Sequence, residues 1–199
     1  MPDSLSVENL KQWLRHAHDF VSGQDEVDLP AELTPAAVLV PIVVRDSGLT
    51  VLLTQRTAHL HNHAGQVSFP GGRIDPEDAD HVAAALREAE EEVGLLAAQI
   101  EVVATLPSYR TGTGFRIEPI VGLVTPPLNL KLDDFEVADV FEVPLAFLLD
   151  EANWRRESRA HEGKAREYWA MPWRDHYIWG ATAAMIVSFK YCLDHGRQS

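Results

Sequence analysis

Leu86-Arg87-Glu88-Ala89-Glu90-Glu91-Glu92-Val93-Gly94-Leu95 is the stretch from which the rest of this chain can be read. On a helix turning about 100° per residue, Glu88, Glu91 and Glu92 fall within an arc of about 100°. Val82, Leu86, Ala89 and Val93 gather on a face centred about 130° away. The spacing predicts a helix over His81 to Val93, stopped by Gly94 at a C-cap position. Its apolar face would pack on a sheet, with three carboxylates held together beside it. Like charges at i, i+3 and i+4 repel, at roughly a few tenths of a kcal/mol per pair. Nothing basic in the following turn relieves them. A hard divalent cation with oxygen ligands would do so. The competing reading is a solvated acidic helix face. Phe69-Pro70-Gly71-Gly72 weighs against it, because it ends just ahead of the loop feeding this helix. Paired glycines let the backbone approach a ligand closely. A backbone oxygen of Gly72 can complete a metal shell begun by Glu88, Glu91 and Glu92.

Outward from this helix, the pattern alternates strands and helices. Val7 to Val21 carries apolar residues at helical spacing, and a polar stretch from Ser22 to Pro35 reads as a linker. Ala36 to Arg45 and Leu49 to Arg56 read as strands joined by Asp46-Ser47-Gly48, a hairpin. A loop with His59, His61 and His63 follows, ending in Phe69-Pro70-Gly71-Gly72. Ile100 to Pro107, Phe115 to Val124 and Val137 to Val143 read as further strands. Leu145 to Asp150 reads as a helix, Glu151 to Lys164 as a charged excursion, and Trp179 to Leu193 as a final helix. Tyr168 to Met171 and His176 to Ile178 are short and aromatic. Mixed strands with helices before, within and after them predict an α+β sandwich.

Composition narrows the function classes. Lysine and arginine total 17 against 30 acidic residues, a net charge of −13. That argues against general nucleic-acid binding, which rests on neutralising phosphates with basic side chains. It suits a protein that gathers carboxylates around a cation, which in turn carries an anionic ligand. The longest apolar run, Ala36 to Val44, is too short to cross a bilayer and is interrupted by Pro41. Met1-Pro2-Asp3-Ser4 opens no signal peptide, and one cysteine, Cys192, excludes an internal disulfide. A cytosolic protein with no membrane partner is the expectation. The aromatic carboxy-terminal region can support a homodimer. His59, His61 and His63 alternate without a fourth ligand, so they read as loop histidines near phosphate or in solvent.

Gly72, followed after a loop by Arg87-Glu88-Ala89-Glu90-Glu91-Glu92-Val93-Gly94-Leu95, resembles the Nudix box, the signature of hydrolases of nucleoside diphosphates linked to another group. The second half of the pattern is matched, with Ala89 as a small apolar residue. The first half carries one extra residue between Gly72 and Arg87. The early glutamate of the pattern falls on Ala79, between Asp78 and Asp80. Upstream, Leu52-Leu53-Thr54-Gln55-Arg56-Thr57, Gly65 and Phe69-Pro70-Gly71-Gly72 resemble the motif of the coenzyme A diphosphatase branch. His61 stands where that motif has a second arginine, so a permanently charged fork is replaced by an imidazole that is mostly neutral at pH 7. Tyr177-Ile178-Trp179-Gly180-Ala181-Thr182-Ala183 is also similar to that branch.

The resemblance implies a single Nudix hydrolase domain over 1–199. A helix and linker would occupy 1–35 and a core 36–193, an α/β/α sandwich with a mixed sheet plus an extra amino-terminal helix. It implies Mg²⁺ or Mn²⁺ held by Glu88, Glu91, Glu92 and Gly72. Arg87 would orient the glutamates or pair with an acid of the preceding loop. The general base is Glu136 or its rival Glu118. Substrate contacts fall to Arg56, Arg73 and His61. The implied reaction is cleavage of the coenzyme A or acyl-coenzyme A diphosphate to adenosine 3′,5′-bisphosphate and 4′-phosphopantetheine. The alternatives are another dinucleotide, such as ADP-ribose or a nicotinamide dinucleotide, or a non-catalytic nucleotide sensor. Trp169, Trp173 and Trp179 read as core residues, one of which could meet adenine or pantetheine.

Overall fold

The structure is a computed structural model that describes residues 5–17, 32–60, 63–161 and 164–198, the side chains of 160, 161, 164 and 165 excepted. Its centre is β1 (Thr34–Arg45), which is buried over most of its length. Such a near-continuous apolar run is what a strand covered on both faces requires. Val38, Val40 and Ile42 face one apolar core, and Ala37, Leu39 and Val43 face the other. β1 pairs antiparallel with β2 (Gly48–Arg56) through the hairpin expected at Gly48, and parallel with β7 (Phe115–Val124). β5 (Ile100–Thr105) lies beyond β7, and β8 (Val137–Pro144) pairs with the far edge of β2.

The wedge between β1 and β2 positions the site. β2 pairs with β1 only from Ile42 onward, and the other end of β1 pairs with β4 (Gly71–Arg73). β3 (Val67–Ser68) joins β2 at Thr54 and Gln55. These two short strands correct the expectation of a plain loop up to Gly72. They are too short to show any alternation. Pro41 is tolerated in mid-strand because Leu39 bonds Pro70 on that edge. Position 41 would aim its missing N–H the same way, into the gap. With β6 (Tyr109–Arg110) on β7, eight strands form one mixed sheet among the described residues.

One sheet face is covered by α2 (His81–Val93), whose bounds are those expected from sequence. Asp80 caps it by accepting from the Ala83 N–H, and Gly94 ends it in the left-handed conformation. The other face is covered by α1 (Val7–Trp13), α3 (Leu145–Leu149) and α4 (Gly180–Gln198). The fold is therefore an α+β sandwich with an additional amino-terminal helix. The first helix is shorter than expected, because the chain leaves α-helical geometry after Trp13; residues 18–21 lie outside the described residues, as does most of the expected linker. No helix among the described residues is long and apolar enough to cross a membrane.

The charged excursion is instead largely a strand. β9 (Arg155–His161) pairs with β10 (Lys164–Trp173), which pairs with β11 (His176–Trp179) in a second sheet. Apolar alternation is missing from β9 because it is held by cross-strand polar and cation–π contacts. Arg156 pairs with Glu167 and lies over the Trp169 ring. Trp169, Trp173 and Trp179 are partly buried against Trp154, Phe147 of α3 and Tyr168 of β10, respectively. Cys192 is buried on α4, where desolvation pushes its thiol up to about 12.

One ion pair at the β8 edge lends itself to a stability measurement. Arg45 donates to Glu142, which also accepts from the Thr50 hydroxyl at 2.6 Å. The guanidinium bond holds the Glu142 carboxyl below its ordinary value, against partial burial. The stabilisation is therefore complete above the unfolded carboxylate value of about 4.3 and fades as pH falls through the lower folded value. Both side chains are partly exposed, so Glu142→Gln is expected to cost only about 0.5–1 kcal/mol at pH 7. Urea unfolding at pH 7 and pH 3 checks this: the gap between variant and wild type should shrink at the lower pH.

Candidate active site

The upstream motif and the acidic helix meet at one point. The Arg56 guanidinium, at the end of β2, reaches Glu92 of α2 at 3.4 Å and Glu136 at 3.2 Å. Glu136 comes from the loop before β8. That loop runs back along α2, its Lys131 and Asp133 amides bonding the Val93 and Glu92 carbonyls. The Thr57 amide bonds the Glu136 carbonyl, which locks the loop to β2.

Glu92 does not lie on a solvated ridge, the competing reading of this helix. It is only 5% exposed, and its second oxygen accepts from the Gly71 amide at 3.2 Å. Burial pushes its carboxyl up to about 7; the Gly71 amide and Arg56 oppose the shift, and the Glu88 and Glu136 charges add to it. Glu88 is raised too, first by burial, with Arg87 opposing and the charges of Glu91 and Glu136 adding. Glu91 is 60% exposed at its side chain. The three glutamates thus span a gradient from core to solvent.

Arg87 reaches both the preceding loop and the helix glutamates. Its guanidinium grips Asp78 with two bonds, at 3.0 and 2.9 Å, and donates to Glu88 and Glu91 at 3.0 Å each. It also donates to the Arg73 carbonyl at 3.2 Å. This settles how the two acids beside Ala79 divide their work: Asp78 pairs with Arg87, and Asp80 caps the helix. It also supplies the charge relief that the following turn lacks. The Asp78 bonds hold the Arg87 guanidinium above its ordinary value, and Asp78 is correspondingly lowered.

The two glycines differ. A Cβ on Gly71, whose φ is +155°, would stand 2.4 Å from the Ala37 carbonyl oxygen and 2.6 Å from the Val38 Cα. A Cβ on Gly72 would stand 2.4 Å from Glu88 Oε1, the far end of a flexible side chain. Gly71→Ala is therefore expected to destabilise by about 2–4 kcal/mol, because backbone must move. Gly72→Ala should stay within about 0.5 kcal/mol of wild type while displacing the Glu88 carboxylate. Thermal unfolding of both variants checks the contrast.

The other expected residues are placed as follows. Gly72, Ala37 and Glu118 lie in one row across β4, β1 and β7, so Glu118 shares the sheet face of the α2 carboxylates. It pairs with Arg116 at 3.4 Å, whereas Glu136 reaches Arg56. Arg73 is exposed, with its guanidinium 5.9 Å from the centre of the Phe115 ring. His59 packs on Phe135, His63 bonds Gln66, and His61 lies outside the described residues. The role of the Gly71 amide and the exposed Phe135 were not visible in the sequence. An aromatic residue inside the acidic run Asp133-Asp134-Phe135-Glu136 was the only signal for the latter.

The group fits a hard divalent ion by its donor chemistry. Glu88 and Glu92 carry mutually repelling carboxyls whose pKa values are raised, and Gly72 leaves a cradle filled by Glu88. All available donors are oxygens, which suits Mg²⁺ or Mn²⁺. Among the described residues no three His, Cys, Asp or Glu side chains already stand in a metal-holding group. Arg56 and Arg87 hold the carboxylates instead.

Residues 33–167 match the family described as NUDIX domain. A protein of Escherichia coli K12 described as "Uncharacterized Nudix hydrolase NudL" is 44% identical over 152 residues, covering 76% of this chain and 78% of that relative. A relative of the same description from Shigella flexneri serotype 5b is 43% identical over 158 residues, covering 79% and 81%. The crystal structure of a MutT protein from Methanosarcina mazei Go1 superposes with a TM-score of 0.54 at 17% identity, over 87% of this chain and all of that one, a likeness of fold. By the extent of the family match and the identity to these relatives, the chain belongs to the Nudix hydrolase family.

Proposed function

We propose that this Nudix hydrolase cleaves the diphosphate of coenzyme A or an acyl derivative, giving adenosine 3′,5′-bisphosphate and (acyl-)4′-phosphopantetheine. The observation that carries the reading is the meeting of Arg56, from the motif resembling the coenzyme A branch, with Glu92 and Glu136. Residues 36–193 would form the core of one Nudix domain, with a helix and linker over 1–35.

Glu88, Glu91, Glu92 and the Gly72 carbonyl would hold Mg²⁺ or Mn²⁺. Such an ion neutralises phosphate oxygens and lowers the pKa of a bound water. Glu136 is the base that takes the water proton, its carboxylate oriented by Arg56. Arg56 then turns its fork to a phosphate oxygen, for which its planar donors are shaped. Arg73 and His61 add substrate contacts. Arg87 holds the loop acid Asp78 against α2 and keeps Glu88 and Glu91 aimed.

The test is side-by-side turnover of coenzyme A, ADP-ribose and NADH with Mg²⁺ and with Mn²⁺. A preference for coenzyme A is expected, with heavy oxygen from labelled water found on one phosphorus only. No preference would overturn the substrate assignment and leave the family assignment standing.

A further inference from the structure

Phe135 is 65% exposed, yet its backbone is clamped on both sides. Its amide donates to Asp133 Oδ1 at 2.8 Å, and its carbonyl accepts from the Thr57 hydroxyl at 2.8 Å. The next residue, Glu136, is tied to Arg56. One edge of the ring environment is His59, with centroids 5.0 Å apart at 58°. Phe135 also borders a cavity of about 510 Å³ lined by Glu90, Glu91 and Asp133–Phe135 among others, a volume within the range of small-molecule sites. A large ring held out by a rigid backbone gains free energy when a flat apolar partner covers it, and the fixed backbone lowers the ordering cost of doing so.

We infer that Phe135 is a stacking platform for the aromatic base of a nucleoside diphosphate, placed beside the acid cluster that takes the diphosphate. Charge decides which end of the ligand lies here. Glu90, Glu91, Asp133 and Asp134 line the cavity against one cation, Lys131, so the four carboxylates outweigh it and disfavour phosphate. An uncharged base meets no such penalty, and base stacking on an aromatic side chain is sequence-tolerant and favourable. Glu91 belongs both to the cavity lining and to the box, so base and diphosphate would sit side by side. The inference rests on the diphosphate reading above for the neighbouring group, not for the stacking itself.

Calorimetry with ADP and with inorganic pyrophosphate, both with Mg²⁺, on wild type, Phe135→Ala and Phe135→Trp tests this. Phe135→Ala is expected to weaken ADP by about 5- to 100-fold and Phe135→Trp to restore it. Pyrophosphate affinity should be the same in all three proteins. No loss for ADP, or an equal loss for both ligands, overturns the platform. Failure of the wild type to hydrolyse any nucleoside diphosphate derivative would sink the hydrolase reading alone, since the difference between ADP and pyrophosphate is read from binding. Because the ring is exposed, Phe135→Ala is expected to unfold thermally within a few degrees of wild type, which a melting curve checks.

Discussion

Glu92→Gln is expected to reduce diphosphate hydrolysis by roughly 10²- to 10³-fold, the scale of losing one preorganised electrostatic contact to the reacting centre. The same change should raise, not lower, the stability of the metal-free protein. Glu92 is buried, and its carboxyl is pushed up to about 7, so the ionised form is held at a cost. Glutamine keeps an oxygen for the Gly71 amide and removes the charge, while Arg56 keeps Glu136. A gain of about 1–3 kcal/mol is expected in metal-free unfolding at pH 8, where wild-type Glu92 is charged. Added Mg²⁺ should stabilise wild type by mass action and the variant much less. Urea unfolding with and without Mg²⁺, alongside turnover, checks both halves. If Glu91→Gln and Glu92→Gln both retain full turnover, the carboxylate mechanism is removed.

Arg87→Lys should be nearly as damaging to turnover as Arg87→Ala, about 10²-fold, the scale for a small misplacement of reacting groups. The guanidinium spans Asp78 on one side and Glu88 and Glu91 on the other. A lysine ammonium is a point charge without that fork, so it can serve one side but not both. Both variants should also melt lower, because the loop before α2 loses its tie to the helix. The split between kinetic constants is informative: kcat should fall more than KM rises, since the Arg87 guanidinium is already engaged by Asp78, Glu88 and Glu91. Steady-state kinetics and thermal unfolding measure both.

The acidic helix shows how far the pattern of residues can be read. Its bounds, its Gly94 stop and the gathering of Glu88, Glu91 and Glu92 all follow from helical periodicity, which is a local property. The hairpin at Gly48 and the strands β5, β7 and β8 were legible for similar reasons. β3 and β4 were not, because strands of two and three residues have no period to detect. β9 was hidden because its partners are charged and aromatic residues across the strand, not an apolar face. Pairing of that kind depends on what lies opposite, which no window along the chain contains.

The candidate site divides along the same line. Residue order marked the carboxylates and the paired glycines, and the resemblance of a short upstream motif marked Arg56. Only the folded chain brings Arg56 to Glu92 across 36 positions and to Glu136 across 80. Only there does Glu92 become a buried acid rather than a wet one, because burial is set by how α2 lies on β1 and β4. The division of labour between Asp78 and Asp80 was likewise open until the loop was closed on Arg87. Proximity, desolvation and field are sums over distant parts of a chain; periodicity and spacing are not, and this protein's chemistry rests on the former.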